Sequence, residues 1–125
     1  MMHEMALVRN VVDIVLDEAK AVDAAEVTGI YLTIGYSRDI VEDLFEDMLK
    51  WMCRDTVAAG AKLYLTRVPF TVKCSDCGRV FPLDVHDRDT WHCPHCRSKR
   101  YVLNSGMEFY VNDIEIVPRK QALSA

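Results

Sequence analysis

Two cysteine pairs, Cys74-Ser-Asp-Cys77 and Cys93-Pro-His-Cys96, are separated by fifteen residues. Each Cys-x-x-Cys turn can present two sulfurs to one ion. Two such turns complete a tetrahedron of thiolates, the closed arrangement of a structural zinc site. Gly78 follows the first pair, where a tight turn calls for positive φ. The rival chemistry is a pair of redox-active dithiols, which favour the start of a helix after a strand; neither pair sits in that context. Iron suits the same four sulfurs. A metal held by four thiolates carries net negative charge, and Lys73, Arg79, Arg97, Lys99 and Arg100 are placed in the sequence to offset it. His92 and His95 flank Cys93. They read as solvent-facing residues of the knuckle, or as alternative ligands should a cysteine be displaced. His86 has no assigned role. Cys53, the remaining cysteine, lies near the end of an amphipathic pattern and reads as a buried free thiol.

The other residues with possible metal chemistry open the chain: Met1-Met2-His3-Glu4. An amine terminus, the first backbone amides and an imidazole can close small chelate rings around a divalent ion. Planar nitrogen donors of that kind suit Ni(II) or Cu(II) rather than Zn(II). The residues alone leave a second reading open, in which His3 is a near-terminal helix residue with no function. Nothing points to catalysis. There is no plausible nucleophile and base pair, no phosphate-binding glycine loop, and no acidic pair in a fitting context.

Size and charge narrow the setting. The chain has 125 residues and a formal charge of −4. That is room for one compact unit or a small domain with a satellite. Mild acidity is unlike a dedicated nucleic-acid binder, and no apolar run approaches the roughly 20 residues of a membrane span. The start of the chain lacks the basic and apolar regions of a signal peptide. Five cysteines, an odd number, argue against a purely intramolecular disulfide framework. These features predict a cytoplasmic protein without a membrane or nucleic-acid partner.

The elements that must position these groups follow from periodicity. His3 to about Ala21 reads as a helix with Met5, Val8, Val12, Val15 and Ala19 on one stripe. Val27 to Gly35 reads as a strand, with Ile30, Leu32 and Ile34 on one side and Tyr31 and Thr33 on the other. Asp39-Ile-Val-Glu42 has the form of a capping box. The helix behind it runs to about Cys53, with Leu44, Phe45, Met48, Leu49 and Met52 inward. Ala61 to Val68 is a second strand, stopped by Pro69. Met107 to Val117 is a third, and its alternation changes phase near Asn112-Asp113, where a bulge is expected. The last eight residues are expected to fray.

Between the second and third strands the composition changes. Residues 71–106 carry six Lys or Arg against four Asp or Glu, whereas residues 1–70 carry seven against twelve. The insert is poor in aliphatic residues and needs a metal staple to fold. The expected architecture is therefore α+β: a small three-stranded mixed sheet with two helices on one face, plus an inserted zinc-ribbon domain. Residues 1–70 and 107–125 form the first domain and 71–106 the ribbon. Trp91 and Tyr101 are expected in the small core of the ribbon.

This ordered set resembles the HypA/HybF family of nickel metallochaperones for hydrogenase maturation. The resemblance covers essentially the whole chain. It rests on Met2-His3-Glu4 leading into an amphipathic helix, the strand ending Ile34-Gly35, the helix containing Phe45, Gly60-Ala61-Lys62-Leu63, the two cysteine pairs, and a final strand ending Ile114-Glu115-Ile116. It implies a non-enzymatic nickel carrier with a nickel-binding α/β domain and a structural zinc domain. The nickel-binding histidine falls on His3, the neighbouring acid on Glu4, with Met2 beside them. The zinc cysteines fall on Cys74, Cys77, Cys93 and Cys96. The implied partners are a HypB-type GTPase accessory protein and the [NiFe]-hydrogenase large-subunit precursor, with urease maturation proteins for some members. Two departures stand out. Met1 precedes the family's Met-His-Glu start, and Tyr36 stands where the family often has an acid. The competing expectation is a zinc-ribbon adaptor that binds protein or nucleic acid and has no nickel role.

Overall fold

The computed structural model describes the backbone of residues 2–119 and the side chains of residues 4–119. The chain runs α1 (Met2–Ala21), β1 (Ala24–Gly35), α2 (Glu42–Cys53), β2 (Lys62–Val68), β3 (Thr71–Cys74), β4 (Val80–Pro82), a 3-10 turn (Arg88–Thr90), β5 (Tyr101–Ser105) and β6 (Phe109–Pro118). These strands form two three-stranded sheets, in the orders β2-β1-β6 and β4-β3-β5. The chain divides into two compact units. The first comprises Met1–Thr33, Ile40–Thr66 and Tyr110–Ala125; the second comprises Ile34–Asp39 and Arg67–Phe109.

In the first unit, α1 and α2 pack on one another. The core is built from Val8, Val11, Val12, Val15 and Ala19 of α1, Val27, Ile30 and Leu32 of β1, and Phe45, Leu49 and Cys53 of α2. The opposite side of the sheet is polar and aromatic. Tyr31 stacks on Tyr64 with ring centroids 4.5 Å apart, and the Thr33 hydroxyl lies 2.7 Å from Asn112 Oδ1. Direction along the strands makes the sheet mixed. Thr28 meets Glu115 while Thr33 meets Asn112, so β6 runs against β1. Tyr31 meets Tyr64 and the Tyr36 amide donates to the Val68 carbonyl, so β2 runs with it. A parallel pair needs a crossover connection, and α2 supplies it.

Burial along β6 changes phase where the sequence alternation does: Phe109, Val111, Ile114 and Ile116 are half-buried, while Asn112 and Asp113 are both exposed. Three expectations are corrected. Met5 and Leu44 are exposed (46% and 45%) rather than inward, because Glu4 and Phe45 take the buried positions beside them. The capping box at Asp39 does not form. Helix α2 begins at Glu42 with Val41 as its N-cap, and no side chain of its own caps it. The acceptor comes instead from α1: Glu4 Oε1 takes the Val41 N–H at 3.0 Å. The expected fraying of the last eight residues falls largely outside the described residues; the first of them, Pro118, still belongs to β6.

In the second unit, β3 pairs antiparallel with both β4 and β5. Its core is Val72, Cys74, Phe81, Leu83 and Cys93, with Phe70, Trp91 and Tyr101 packed against it. Tyr101 meets Phe81 edge-on at 5.8 Å. Close backbone packing requires two glycines. A Cβ on Gly35 would lie 1.9 Å from the Gly106 carbonyl oxygen, and Gly106 has φ of 113° with Phe70 Cα 2.6 Å from where its Cβ would be. The Arg67 guanidinium ties the chain around Gly35, donating to the carbonyls of Ile34, Gly35 and Arg38 at 3.0, 3.2 and 3.1 Å.

Candidate metal centre

The ribbon presents its cysteines from two turns of identical backbone pattern. In the first, the Cys74 amide donates to the Arg79 carbonyl and the Gly78 amide to the Cys74 carbonyl, at 2.8 and 2.9 Å. In the second, the Cys93 amide donates to the Ser98 carbonyl and the Arg97 amide to the Cys93 carbonyl, both at 2.8 Å. The fifth residue of each turn is left-handed: Gly78 at φ 78° and Arg97 at φ 64°. The turns are joined by a hydrogen bond from Ser98 Oγ to Asp76, with Arg100 3.5 Å from the same carboxylate.

These turns bring the four sulfurs within 4.8 Å of one another. Cys74 Sγ is 3.5 Å from Cys96 Sγ, and Cys77 Sγ is 3.6 Å from Cys93 Sγ. A tetrahedron with Zn–S bonds of about 2.3 Å has edges of about 3.8 Å. The cluster therefore fits a single tetrahedral metal of that size. Cys74 and Cys93 are buried and Cys77 and Cys96 exposed, so one edge of the tetrahedron faces water.

Backbone amides point at the sulfurs in the same repeated pattern. Cys74 receives those of Cys77 and Asp76, and Cys93 those of Cys96 and His95. Cys77 receives Arg79, and Cys96 receives Ser98. The Cys77 amide above all lowers the Cys74 thiol to about 6. The Cys96 amide likewise leads in lowering Cys93. The other two go the opposite way. Against the Ser98 amide, which lowers it, the neighbouring Cys74 sulfur and burial push Cys96 up to about 12. Against the Arg79 amide, burial and the Cys93 and Cys74 sulfurs raise Cys77. The cause is mutual repulsion: four close sulfurs cannot all ionise until a cation joins them. Within each turn the first cysteine is the lowered thiol and the second the raised one.

Among the described residues, no other group of three or more His, Cys, Asp or Glu side chains is drawn together in this way. His92 is half-buried beside Trp91 and Lys99. His95 has an exposed side chain and meets the cluster through its amide on Cys93. His86 is exposed. Cys53 is a buried free thiol, raised by that burial.

At the start of the chain, the side chains of Met2 and His3 lie outside the described residues. Their backbone forms the first turn of α1. Glu4 is buried at 5% exposure, with Oε1 on the Val41 amide and Oε2 without a partner among the described residues. Sequence reasoning missed this bond, because the acceptor and its helix are 37 positions apart. It also missed the left-handed Arg97, although aligning the two cysteine pairs places Arg97 where Gly78 stands.

The fold and the cluster define a two-unit α+β protein in which a four-cysteine metal ribbon is inserted between strands of a mixed sheet. The chain belongs to the HypA family, described as hydrogenase/urease nickel incorporation metallochaperones, whose profile matches residues 2–116. Among its relatives, the hydrogenase maturation factor HybF of Morganella morganii is 32% identical over 114 residues, covering 91% of this chain and 98% of that protein. The hydrogenase maturation factor HypA of Chlorobaculum parvum is 32% identical over 115 residues, covering 92% and 99%. The fold is shared with the solution structure of the Ni metallochaperone HypA from Helicobacter pylori, at 21% identity and a TM-score of 0.64, covering 93% of this chain and 98% of that one. A second HypA solution structure matches at 23% identity and a TM-score of 0.69, covering 94% and 98%.

Proposed function

We propose that the chain is a non-enzymatic nickel carrier. It binds Ni(II) at its N-terminus and delivers it to the [NiFe]-hydrogenase large-subunit precursor, with a HypB-type GTPase as partner. The observation that supports this reading is the family match over residues 2–116, a span that includes Met2-His3-Glu4. His3 supplies the imidazole, and the planar donors are nitrogens of Met2, His3 and Glu4. Helix geometry supports this assignment. The first amides of a helix have no intrahelical acceptor, so a metal can displace their protons without breaking a helical bond. Glu4 then serves through its amide, since one carboxylate oxygen is committed to Val41. Few side-chain ligands favour release, which a carrier requires.

Zinc is the proposed resident ion of Cys74, Cys77, Cys93 and Cys96, where it supplies the folding energy of a small core. The proposed domains are residues 1–70 with 107–125 for nickel and 71–106 for zinc, and the proposed location is the cytoplasm. No helix among the described residues is long and apolar enough to cross a membrane. Urease maturation is a further proposed destination for the nickel, in keeping with the family's description.

The test is a calorimetric nickel titration of zinc-loaded protein beside His3→Ala. One nickel per chain, lost in the variant, is the expected result. Equal binding by both would overturn His3 as ligand. No nickel binding by the zinc-loaded wild type would leave the zinc-ribbon adaptor as the reading.

A further inference from the structure

The connection from β4 to β5 builds a cleft of about 620 Å³ on the second unit, lined by Arg88, Asp89, Trp91, His92, Lys99 and Tyr101. Its floor is two aromatic rings held in place. Trp91 Nε1 donates to the Asp84 carbonyl at 2.8 Å, and Tyr101 meets Phe81 edge-on. Both rings pack on the core of the unit and keep an open side. The loop that carries Trp91 is tied to itself. The Asp84 amide donates to Thr90 Oγ1 at 2.9 Å, and the Asp89 amide to Asp87 Oδ1 at 3.0 Å. The floor is therefore formed before any ligand arrives, which keeps the ordering cost of binding low.

The rim is polar and largely unused. The Arg88 guanidinium lies 5.7 Å from the centroid of the Trp91 ring. Lys99 enters from the far side, directly after the second cysteine turn. Both are exposed, and neither forms an ion pair or a side-chain hydrogen bond among the described residues. The neighbouring Arg100, by contrast, is paired with Asp76. Half-buried His92 adds a ring N–H, which it offers in either charge state. Asp89 is the single acid of the lining. Its carboxylate too has no partner among the described residues.

This donor set selects a ligand. Two permanent cations and a ring N–H around one cleft suit a phosphate, which a guanidinium grips with two parallel hydrogen bonds. Two open aromatic rings add little for a simple anion, but they bind a flat ring by stacking. One acid among the bases accepts from hydroxyl donors. We propose that the cleft binds a nucleotide. Its base lies against Trp91 and Tyr101, its phosphate is held by Arg88, Lys99 and His92, and a ribose hydroxyl donates to Asp89. The chain's net acidity weighs against a long nucleic-acid tract, whose affinity grows with each phosphate neutralised; a single nucleotide asks for only one such contact.

The test is a titration of zinc-loaded, isotope-labelled full chain with adenosine monophosphate, followed by amide and indole NMR signals. The Trp91 indole and the Arg88 and Lys99 amides should shift together and saturate, while the Trp51 indole stays in place. Adenosine alone and inorganic phosphate alone should each bind at least about tenfold more weakly, since each lacks one half of the contacts. Arg88→Glu and Lys99→Glu change exposed side chains that pair with nothing, so they should fold as wild type and lose binding about tenfold or more. A short single-stranded oligoadenylate separates the two sources of such a ligand. Tighter binding than the monophosphate assigns the cleft to a strand, and equal binding to the free nucleotide. Three results overturn the proposal: no saturable shift at Trp91, wild-type binding by Arg88→Glu, or a poly-glutamate peptide or phosphate alone binding as tightly as the nucleotide. The last would reduce the cleft to a basic patch.

Discussion

Glu4 and Val41 are joined by a hydrogen bond of 3.0 Å, from the Val41 amide to Glu4 Oε1. The bond crosses from the first turn of α1 to the N-cap of α2, a helix start with no cap of its own. The buried Glu4 carboxylate thus has a structural duty separate from its proposed part in metal binding. Glu4→Ala should lower stability by about 1 kcal/mol, the usual loss of a helix cap. Glu4→Gln keeps an acceptor oxygen and should lose less. Chemical denaturation followed by circular dichroism measures both. Nickel titration of Glu4→Gln separates the two duties: an unchanged stoichiometry is expected where the amide is the donor, and its loss would make the carboxylate a ligand.

The two cysteine turns differ in their fitness for the shape they share. Gly78 and Arg97 hold the same left-handed position, at φ 78° and 64°. For a residue with a Cβ that conformation costs roughly 1 kcal/mol. A Cβ on Gly78 would meet nothing within 4 Å, so the cost there is conformational alone. Arg97→Gly should therefore stabilise the ribbon by up to about 1 kcal/mol, and Gly78→Ala should destabilise it by a similar amount. Thermal unfolding of zinc-loaded protein decides both signs. A loss of stability in Arg97→Gly would mean that the guanidinium contributes more than its backbone costs.

The approach of Gly35 to Gly106 makes a larger prediction. A Cβ on Gly35 would lie 1.9 Å from the Gly106 oxygen and 2.1 Å from its carbonyl carbon, both backbone atoms that cannot turn aside. Gly35→Ala should cost about 3 kcal/mol or more. Gly106→Ala should cost a comparable amount, since it combines a φ of 113° with collision against Phe70. Soluble yield and denaturation midpoint are the measurements. A wild-type midpoint for Gly35→Ala would show that this backbone approach is not kept in solution.

Much of this arrangement is legible in the sequence, for local reasons. The spacing of Cys74, Cys77, Cys93 and Cys96 is a local constraint, and it led directly to the cluster the structure shows. The alternation of Ile30, Leu32 and Ile34 gave the buried side of β1, and the change of phase at Asn112-Asp113 reappears in the burial of β6. What the sequence hid is non-local or shared between faces. The cap of α2 is supplied from Glu4, so a local search settled on Asp39 instead. Leu44 fits a helical stripe as well as Phe45 does, and only the packing of α2 on α1 selects Phe45. The donors that set the thiol acidities are backbone amides, which leave no mark in residue identity.

Those acidities determine how the metal centre responds to pH. Cys74 is lowered to about 6 and Cys96 raised to about 12. Cys93 is lowered and Cys77 raised from the ordinary thiol value. Near neutral pH the raised thiols, Cys77 and Cys96, both hold their protons. A four-thiolate metal must expel them, so zinc uptake near neutral pH should release at least two protons, those of Cys77 and Cys96. Release on binding fixes the sign. Affinity rises with pH while Cys77 and Cys96 are protonated in the free protein, and it falls more steeply below about 6, where Cys74 takes up a proton as well. Calorimetry of zinc binding in buffers of different ionisation enthalpy counts the protons directly. Release of none at neutral pH would mean that all four sulfurs are already ionised without the metal, contrary to the repulsion that splits them.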